Sequence, residues 1–219
     1  MLNFLASLGW NDGTEQEVFT RDELIEKFSL KRVQKSGARF DEKRLLWLNG
    51  AHIRNISVDK LYEYVSPRED NPQEDGKQTG FWPESAYAPN ITKEYRMKVL
   101  TLAQDRLKMF EDLHGFSYFF ADPEIDTELI DGNKQLRKLT DDERRELLSI
   151  ARQEFEKITD WTPETIQNCL NELLETTGIL FSLVRIVTTW APFSPQLNDT
   201  LALIGKEKTL QRIDNYLQK

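Results

Sequence analysis

Lys35-Ser-Gly-Ala-Arg-Phe-Asp-Glu-Lys-Arg-Leu-Leu-Trp-Leu-Asn-Gly-Ala-His-Ile-Arg54 is the stretch from which the rest of the chain is read. It reads as a turn, a short helix and a second turn. Ser36-Gly37 signals a loop, because glycine adopts positive φ without steric cost. Asp41 is placed to cap the helix, its carboxylate accepting from the unpartnered amides of the first turn. Leu45, Leu46 and Leu48 give that helix an apolar side, and Asn49-Gly50 reads as its left-handed stop. Four basic residues, Arg39, Lys43, Arg44 and Arg54, surround Trp47. On composition alone Trp47 is a core residue and the bases form a solvated face, since aromatics near helix ends are usually core.

The chain has 219 residues, 39% hydrophobic and 30% charged. That balance is globular rather than disordered and suits one large domain or two to three small ones. A net charge of −8 argues against wholesale attraction to nucleic acid or an anionic membrane. It leaves room for a local basic patch, because exposed charges are screened beyond roughly 8 Å at physiological salt. The single cysteine, Cys169, builds neither a disulfide framework nor a zinc site, and fits a reducing compartment. With only His52 and His114, a histidine metal site is not expected. No apolar run approaches the roughly 20 residues of a membrane span. The first residues lack the basic flank of a signal peptide. They read as a helix already under way that ends at Gly9, as in a piece of something longer.

In order, the chain is a series of capped helices. Trp10 to Gly13 is a loop. Thr20-Arg-Asp-Glu23 is a capping box that opens a helix to about Phe28, with Leu24, Ile25 and Phe28 on one face. Ser57 caps a helix from Val58 to Val65. From Ser66 to about Pro89 the period fails, interrupted by Pro67, Pro72, Pro83 and Pro89 with Gly76 and Gly80. This is a linker and the first domain boundary, with Arg68 to Gly80 expected to be the most mobile internal segment. Thr92 or Asn90 caps a helix to about His114, carrying Val99, Leu100, Leu102, Leu107, Phe110 and Leu113. An apolar block, Phe116 to Phe120, ends at Asp122-Pro123. Thr140-Asp-Asp-Glu143 is a second capping box, for a helix to about Ile158. Thr162-Pro163 starts another, with threonine at the cap and proline at the first helical position, and it stops at Gly178. Leu180 to Thr189 is apolar around Arg185. Pro192 and Pro195 force an extended turn. Helices follow from Leu197 to Ile204 and from Thr209 to about Gln218. Without β alternation or repeats, the expected fold class is all-α.

Catalytic patterns do not emerge. There is no Gly-x-Gly-x-x-Gly, no phosphate loop and no His-Glu-x-x-His. Lys35-Ser36 lacks the methionine and second Lys-Ser of an ATP-binding Lys-Met-Ser-Lys-Ser loop. The abundant carboxylates are explained by caps and helix faces. No catalytic, cofactor-binding or metal-binding residue is expected in this chain.

Three segments together resemble the C-terminal half of bacterial-type glutamyl-tRNA synthetases, class I ligases that attach glutamate to tRNA. They are Leu2-Asn-Phe-Leu-Ala-Ser-Leu-Gly-Trp10; Phe28 to Asp41 with Trp47-Leu-Asn-Gly50 and Ile53-Arg54; and Leu183-Val-Arg185 with Leu201 to Ile213. The region from Ser66 to Tyr87 matches least. The resemblance implies a stem-contact helical domain over 1–66, a linker and first anticodon-binding helical module over 67–123, and a second over 124–219, an α-helix cage. It implies tRNA(Glu) as partner, a monomer, and no membrane or DNA partner. The implied location is the cytoplasm or an organelle matrix. ATP and magnesium would be bound by a catalytic half that lies outside this chain, so the fragment alone would be inactive.

Residue roles carry over one at a time. Arg106 would read the third anticodon base. Arginine presents only donors, which suits the O2 and N3 acceptors of cytosine and opposes the N1–H and N2–H₂ of guanine. A good bidentate pair is worth about 1–3 kcal/mol of discrimination. Arg185 would approach the anticodon, with Thr189, Ser194, Pro195 and Leu197 packing around splayed bases. Trp47 and Arg44 would touch the inner corner of the tRNA. Without the resemblance, Arg106 is an exposed helix arginine and Arg185 an arginine paired with a nearby carboxylate. The chain departs from the family at Thr189-Trp190 and Pro195-Gln196, where Thr-Gly and Pro-Gly are usual. Both replace a glycine, which implies a different loop path and makes Trp190 either a stacking surface or a lid over the core. Two rival readings remain open: a non-enzymatic helical protein-interaction module, consistent with the net charge, and a tRNA-binding paralogue fragment.

Overall fold

The computed structural model describes residues 1–34, 37, 39–67 and 80–219. Among them the chain winds into α1 (Leu2–Ser7), α2 (Arg21–Lys27), α3 (Glu42–Asn55), α4 (Val58–Val65), α5 (Lys93–Ala103), α6 (Glu128–Asp131), α7 (Asp141–Lys157), α8 (Pro163–Thr177), α9 (Phe181–Thr189), α10 (Leu197–Ile204) and α11 (Lys206–Leu217), with no strand. The fold is all-α, as expected. Short 3-10 turns at Leu30–Arg32, Glu84–Tyr87, Gln104–Arg106, Phe110–Phe119 and Leu136–Lys138 join the helices.

Local signals hold where few residues decide them. The Thr20 hydroxyl accepts from the Glu23 amide at 3.2 Å, and the Thr20 amide donates back to the Glu23 carboxylate at 2.7 Å. Thr140 and Glu143 repeat this at 3.2 and 2.7 Å. In each box the threonine backbone bond holds the glutamate carboxyl below its usual range. Asp41, Ser57 and Thr92 also cap through their side chains. Helix α8 ends on Gly178 in the left-handed region.

Other expectations fail for tertiary reasons. Asn49-Gly50 does not stop α3, which runs on to Asn55. Asn49 Nδ2 donates to the Lys108 carbonyl at 2.6 Å, and a Cβ on Gly50 would lie 3.1 Å from the Leu107 carbonyl oxygen. The pair is a helix contact, and glycine is there for close approach. The helix after Thr92 ends at Ala103, well before His114. The Asp112 carboxylate accepts from the Lys108 and Met109 amides at 2.7 and 2.9 Å, competing with helix continuation. Gln104 then turns inward and donates to the Ile53 and Ile56 carbonyls at 2.8 Å, closing the end of α3. Helix α11 begins at Lys206 rather than Thr209, and α6 had no clear periodic signal.

The expected apolar faces also change. Leu24 is buried, but Ile25 is 69% exposed and Phe28 46%; they border an open groove of about 600 Å³ with Leu2 and Leu5. Leu48 is buried while Leu45 and Leu46 are half-buried. Trp47 is 45% exposed, so its core reading is corrected. The segment after Gly80 is tied down: the Phe81 amide donates to the Val65 carbonyl at 2.9 Å and Trp82 is fully buried. Arg68 to Thr79, where mobility is expected, lie outside the described residues, as do Lys35, Ser36 and Ala38.

Apolar packing gathers around three centres. A small one joins Trp10, Phe19 and Leu24. A second runs from Ile53, Leu61 and Val65 through Trp82 and Val99 to Phe119. The third joins Leu148, Phe155, Leu170, Leu183, Val187 and Ile213. Arg212 of α11, 2% exposed, bridges the second and third. Its guanidinium donates to the Thr188 carbonyl at 2.8 Å, Tyr118 at 2.8 Å and Ala121 at 3.2 Å, and to Asp122 at 3.1 Å. Burial lowers its pKa, and the bond to Asp122 opposes that shift.

Two stability predictions follow from these contacts. Gly→Ala inside a helix normally gains about 1 kcal/mol, yet Gly50→Ala is expected to lose about 1–3 kcal/mol because backbone stands where its methyl must go. Arg212→Met removes donors from buried acceptors and is expected to cost about 3–5 kcal/mol. Urea denaturation midpoints measure both; a rise for Gly50→Ala, or an unmoved midpoint for Arg212→Met, contradicts the respective account.

Candidate nucleic-acid interface

The two arginines singled out in the sequence lie within electrostatic reach of each other. Arg106 ends the 3-10 turn after α5 and is exposed; Arg185 lies mid-way along α9 and is half-buried. They are near enough that the Arg106 charge, after burial itself, depresses the Arg185 pKa. The expected carboxylate partner for Arg185 is not found among the described residues. Arg185 Nε instead donates to the Ser194 hydroxyl at 3.0 Å, and that hydroxyl donates on to the Pro195 carbonyl at 3.0 Å. Neither the Arg185 Nη groups nor the Arg106 side chain makes a hydrogen bond or ion pair among the described residues. Tyr118 adds a buried hydroxyl without a hydrogen-bond partner among them. Burial pushes its pKa up, so it stays a neutral donor. Two close cations with unspent donors and no balancing carboxylate disfavour the free protein and suit an anionic or acceptor-rich ligand.

The loop after α9 sets this geometry. The Thr189 hydroxyl donates back to the Arg185 carbonyl at 2.8 Å and accepts from the Ala191 amide at 3.3 Å. Trp190 takes φ 45 and ψ 41, the left-handed conformation that glycine adopts freely. The Trp-for-Gly replacement therefore keeps a glycine-like backbone at that position. The ring, 6.1 Å from Tyr216 and half-buried on the third apolar centre, is a lid over the core rather than an offered surface. Thr189, Ser194, Pro195 and Leu197 are all buried. They shape the loop and steady Arg185, and their side chains do not stand out toward solvent. What the loop does present is Phe193, 51% exposed, with Pro192 and Gln196. No periodic signal in the sequence marks it, because the short turn between Pro192 and Pro195 has neither helical nor strand spacing.

Arg44 and Trp47, expected at the inner corner of a tRNA, occupy a different element. Arg44 and Trp47 are three residues apart on α3 and share its exposed side. Arg44 Nη2 pairs with Glu17 at 3.1 Å, both side chains well exposed. Such an exposed pair contributes at most about 1 kcal/mol.

An all-helical frame that holds two uncompensated guanidiniums beside an exposed ring has the form of a helical nucleic-acid-reading module. Residues 60–217 match the anticodon binding domain family, and the chain belongs to that family. It is 34% identical to the glutamate–tRNA ligase of Chlorobium chlorochromatii over 226 residues, covering 100% of this chain and 43% of that protein. The glutamate–tRNA ligase of Exiguobacterium sibiricum is 30% identical over 98% of this chain and 43% of its own length. The chain thus spans under half the length of these curated relatives, their C-terminal part. The crystal structure of a glutamate tRNA ligase from Elizabethkingia meningosepticum shares the fold, with a TM-score of 0.70 at 22% identity over 100% of this chain and 40% of that one.

Because Arg185 has no charge partner among the described residues, Arg185→Met is expected to shift folding stability by less than about 1 kcal/mol, in contrast to Arg212→Met. A loss in the denaturation midpoint as large as that at Arg212 would make Arg185 a structural residue.

Proposed function

We propose that this chain recognises the anticodon and inner corner of tRNA(Glu) as part of a glutamate–tRNA ligase. The observation that carries this reading is the uncompensated Arg106–Arg185 pair beside the α9–α10 loop, in a chain of the anticodon binding domain family. Arg106 reads the third anticodon base through its donors, and Arg185 serves the same loop. Thr189, Ser194, Pro195 and Leu197 hold the loop in shape around the splayed bases, and Arg44 and Trp47 meet the inner corner. The chain divides by task into 1–66 for the stem contact, 67–123 for the linker and first anticodon module, and 124–219 for the second. It acts as a monomer in the cytoplasm or an organelle matrix. Among the described residues no helix is long and apolar enough to cross a membrane.

Attachment of glutamate with ATP and magnesium would belong to a catalytic half of a longer ligase. Among the described residues no three His, Cys, Asp or Glu side chains group to hold a metal, and the sequence carries no Gly-x-Gly-x-x-Gly or phosphate-loop pattern.

Affinity for tRNA(Glu) and tRNA(Gln) transcripts, measured at one fixed salt concentration, tests the reading. Wild type is expected to prefer the anticodon ending in C. Arg106→Gln adds an acceptor that can face guanine, and is expected to narrow that gap by about 1–3 kcal/mol. An equal change for both tRNAs would reduce Arg106 to a positioning residue. Wild-type affinity no greater than for an unrelated tRNA would overturn the function.

A further inference from the structure

Phe193 is the feature that the roles above leave unused. In its loop Ala191, Ser194, Pro195 and Leu197 are buried, yet Phe193 is 51% exposed. A single exposed apolar side chain is ordinary. This one is braced: its ring meets the fully buried Phe116 edge-on, 6.3 Å between centroids at 74°. Its far end reaches the backbone at Gly115, where an added Cβ would stand 3.9 Å from Cζ. The next residue, Ser194, holds Arg185 by Nε at 3.0 Å, which leaves both Nη groups of that guanidinium unspent. A half-exposed ring braced by a buried aromatic therefore sits one residue before the serine that holds Arg185, whose Nη groups have no acceptor among the described residues.

Single-stranded bases are held by that combination: stacking on an aromatic face, with edge contacts from neighbouring donors. We propose that Phe193 is a stacking platform for an unpaired base of the anticodon loop, with the Arg185 Nη donors facing that base's edge. This rests on the anticodon-binding reading and adds a residue to it. The ring supplies affinity that tolerates any base, because every base has a π-face. The arginines supply the preference.

The experiment compares the full chain with Phe193→Ala and Phe193→Trp for binding to a tRNA(Glu) transcript over a series of salt concentrations. Thermal denaturation of each protein confirms that it is folded. Phe193→Ala is expected to bind on the order of 10-fold more weakly, with the slope of log affinity against log salt unchanged, since no phosphate contact is lost. Phe193→Trp is expected to bind at least as tightly as wild type. If wild type binds and Phe193→Ala binds equally well, the platform is wrong while the anticodon reading stands. If Phe193→Trp is as weak as Phe193→Ala, or the salt slope falls along with the affinity, ring stacking is not what Phe193 supplies and the proposal fails. If wild type itself does not bind the transcript, the anticodon reading fails and takes this inference with it.

Discussion

The guanidinium of Arg212 gathers carbonyls from two separate parts of the chain. Thr188 is near the end of α9, and Tyr118 and Ala121 close the Phe110–Phe119 turn. Those carbonyls lie at helix ends, where intrahelical partners run out. One planar cation with five donors meets them together, and no other side chain has that fork. Both segments also carry the candidate site. Helix α9 holds Arg185 and leads into the loop of Ser194 and Phe193, and the turn holds Phe116 and Tyr118. The elements that carry the candidate site are thus tied together by this bond network.

Arg185 and Arg212 show how one residue type serves opposite ends. Burial depresses both. For Arg212 a carboxylate and three carbonyls offset the cost. For Arg185 the second influence is another arginine, which adds to it. Two positions on neighbouring helices therefore differ: the Arg212 guanidinium is spent within the fold, and the Arg185 Nη groups have no partner among the described residues. A fold optimised for stability alone would place a carboxylate beside Arg185.

Helix starts were legible because a cap needs only a threonine or aspartate and the residue three positions on. Thr20, Asp41, Ser57, Thr92, Thr140 and Thr162 all cap as read. Helix ends were harder. Asn49-Gly50 looks like a stop, but its partner is Lys108, 59 residues away. The break after α5 was hidden because apolar spacing continues across it, while the Asp112 carboxylate that competes for the backbone looks like any helix-face acid. In the site, the resemblance pointed to Arg106 and Arg185 singly. That they share a surface depends on the packing of α5 and α9 with the segments between them, which no local pattern encodes. Phe193 was passed over because an aromatic in a short turn has no period to betray whether it faces in or out.

The Arg212 network also carries a consequence for synthesis. Its carbonyl acceptor at Tyr118 is made 94 residues before the guanidinium that satisfies it. At about 5–20 residues per second, that carbonyl waits on the order of ten seconds for its donor. Until then the Phe110–Phe119 turn and α9 lack the bridge that this guanidinium makes between their carbonyls. The network that joins these two segments is therefore complete only once residue 212 has been made.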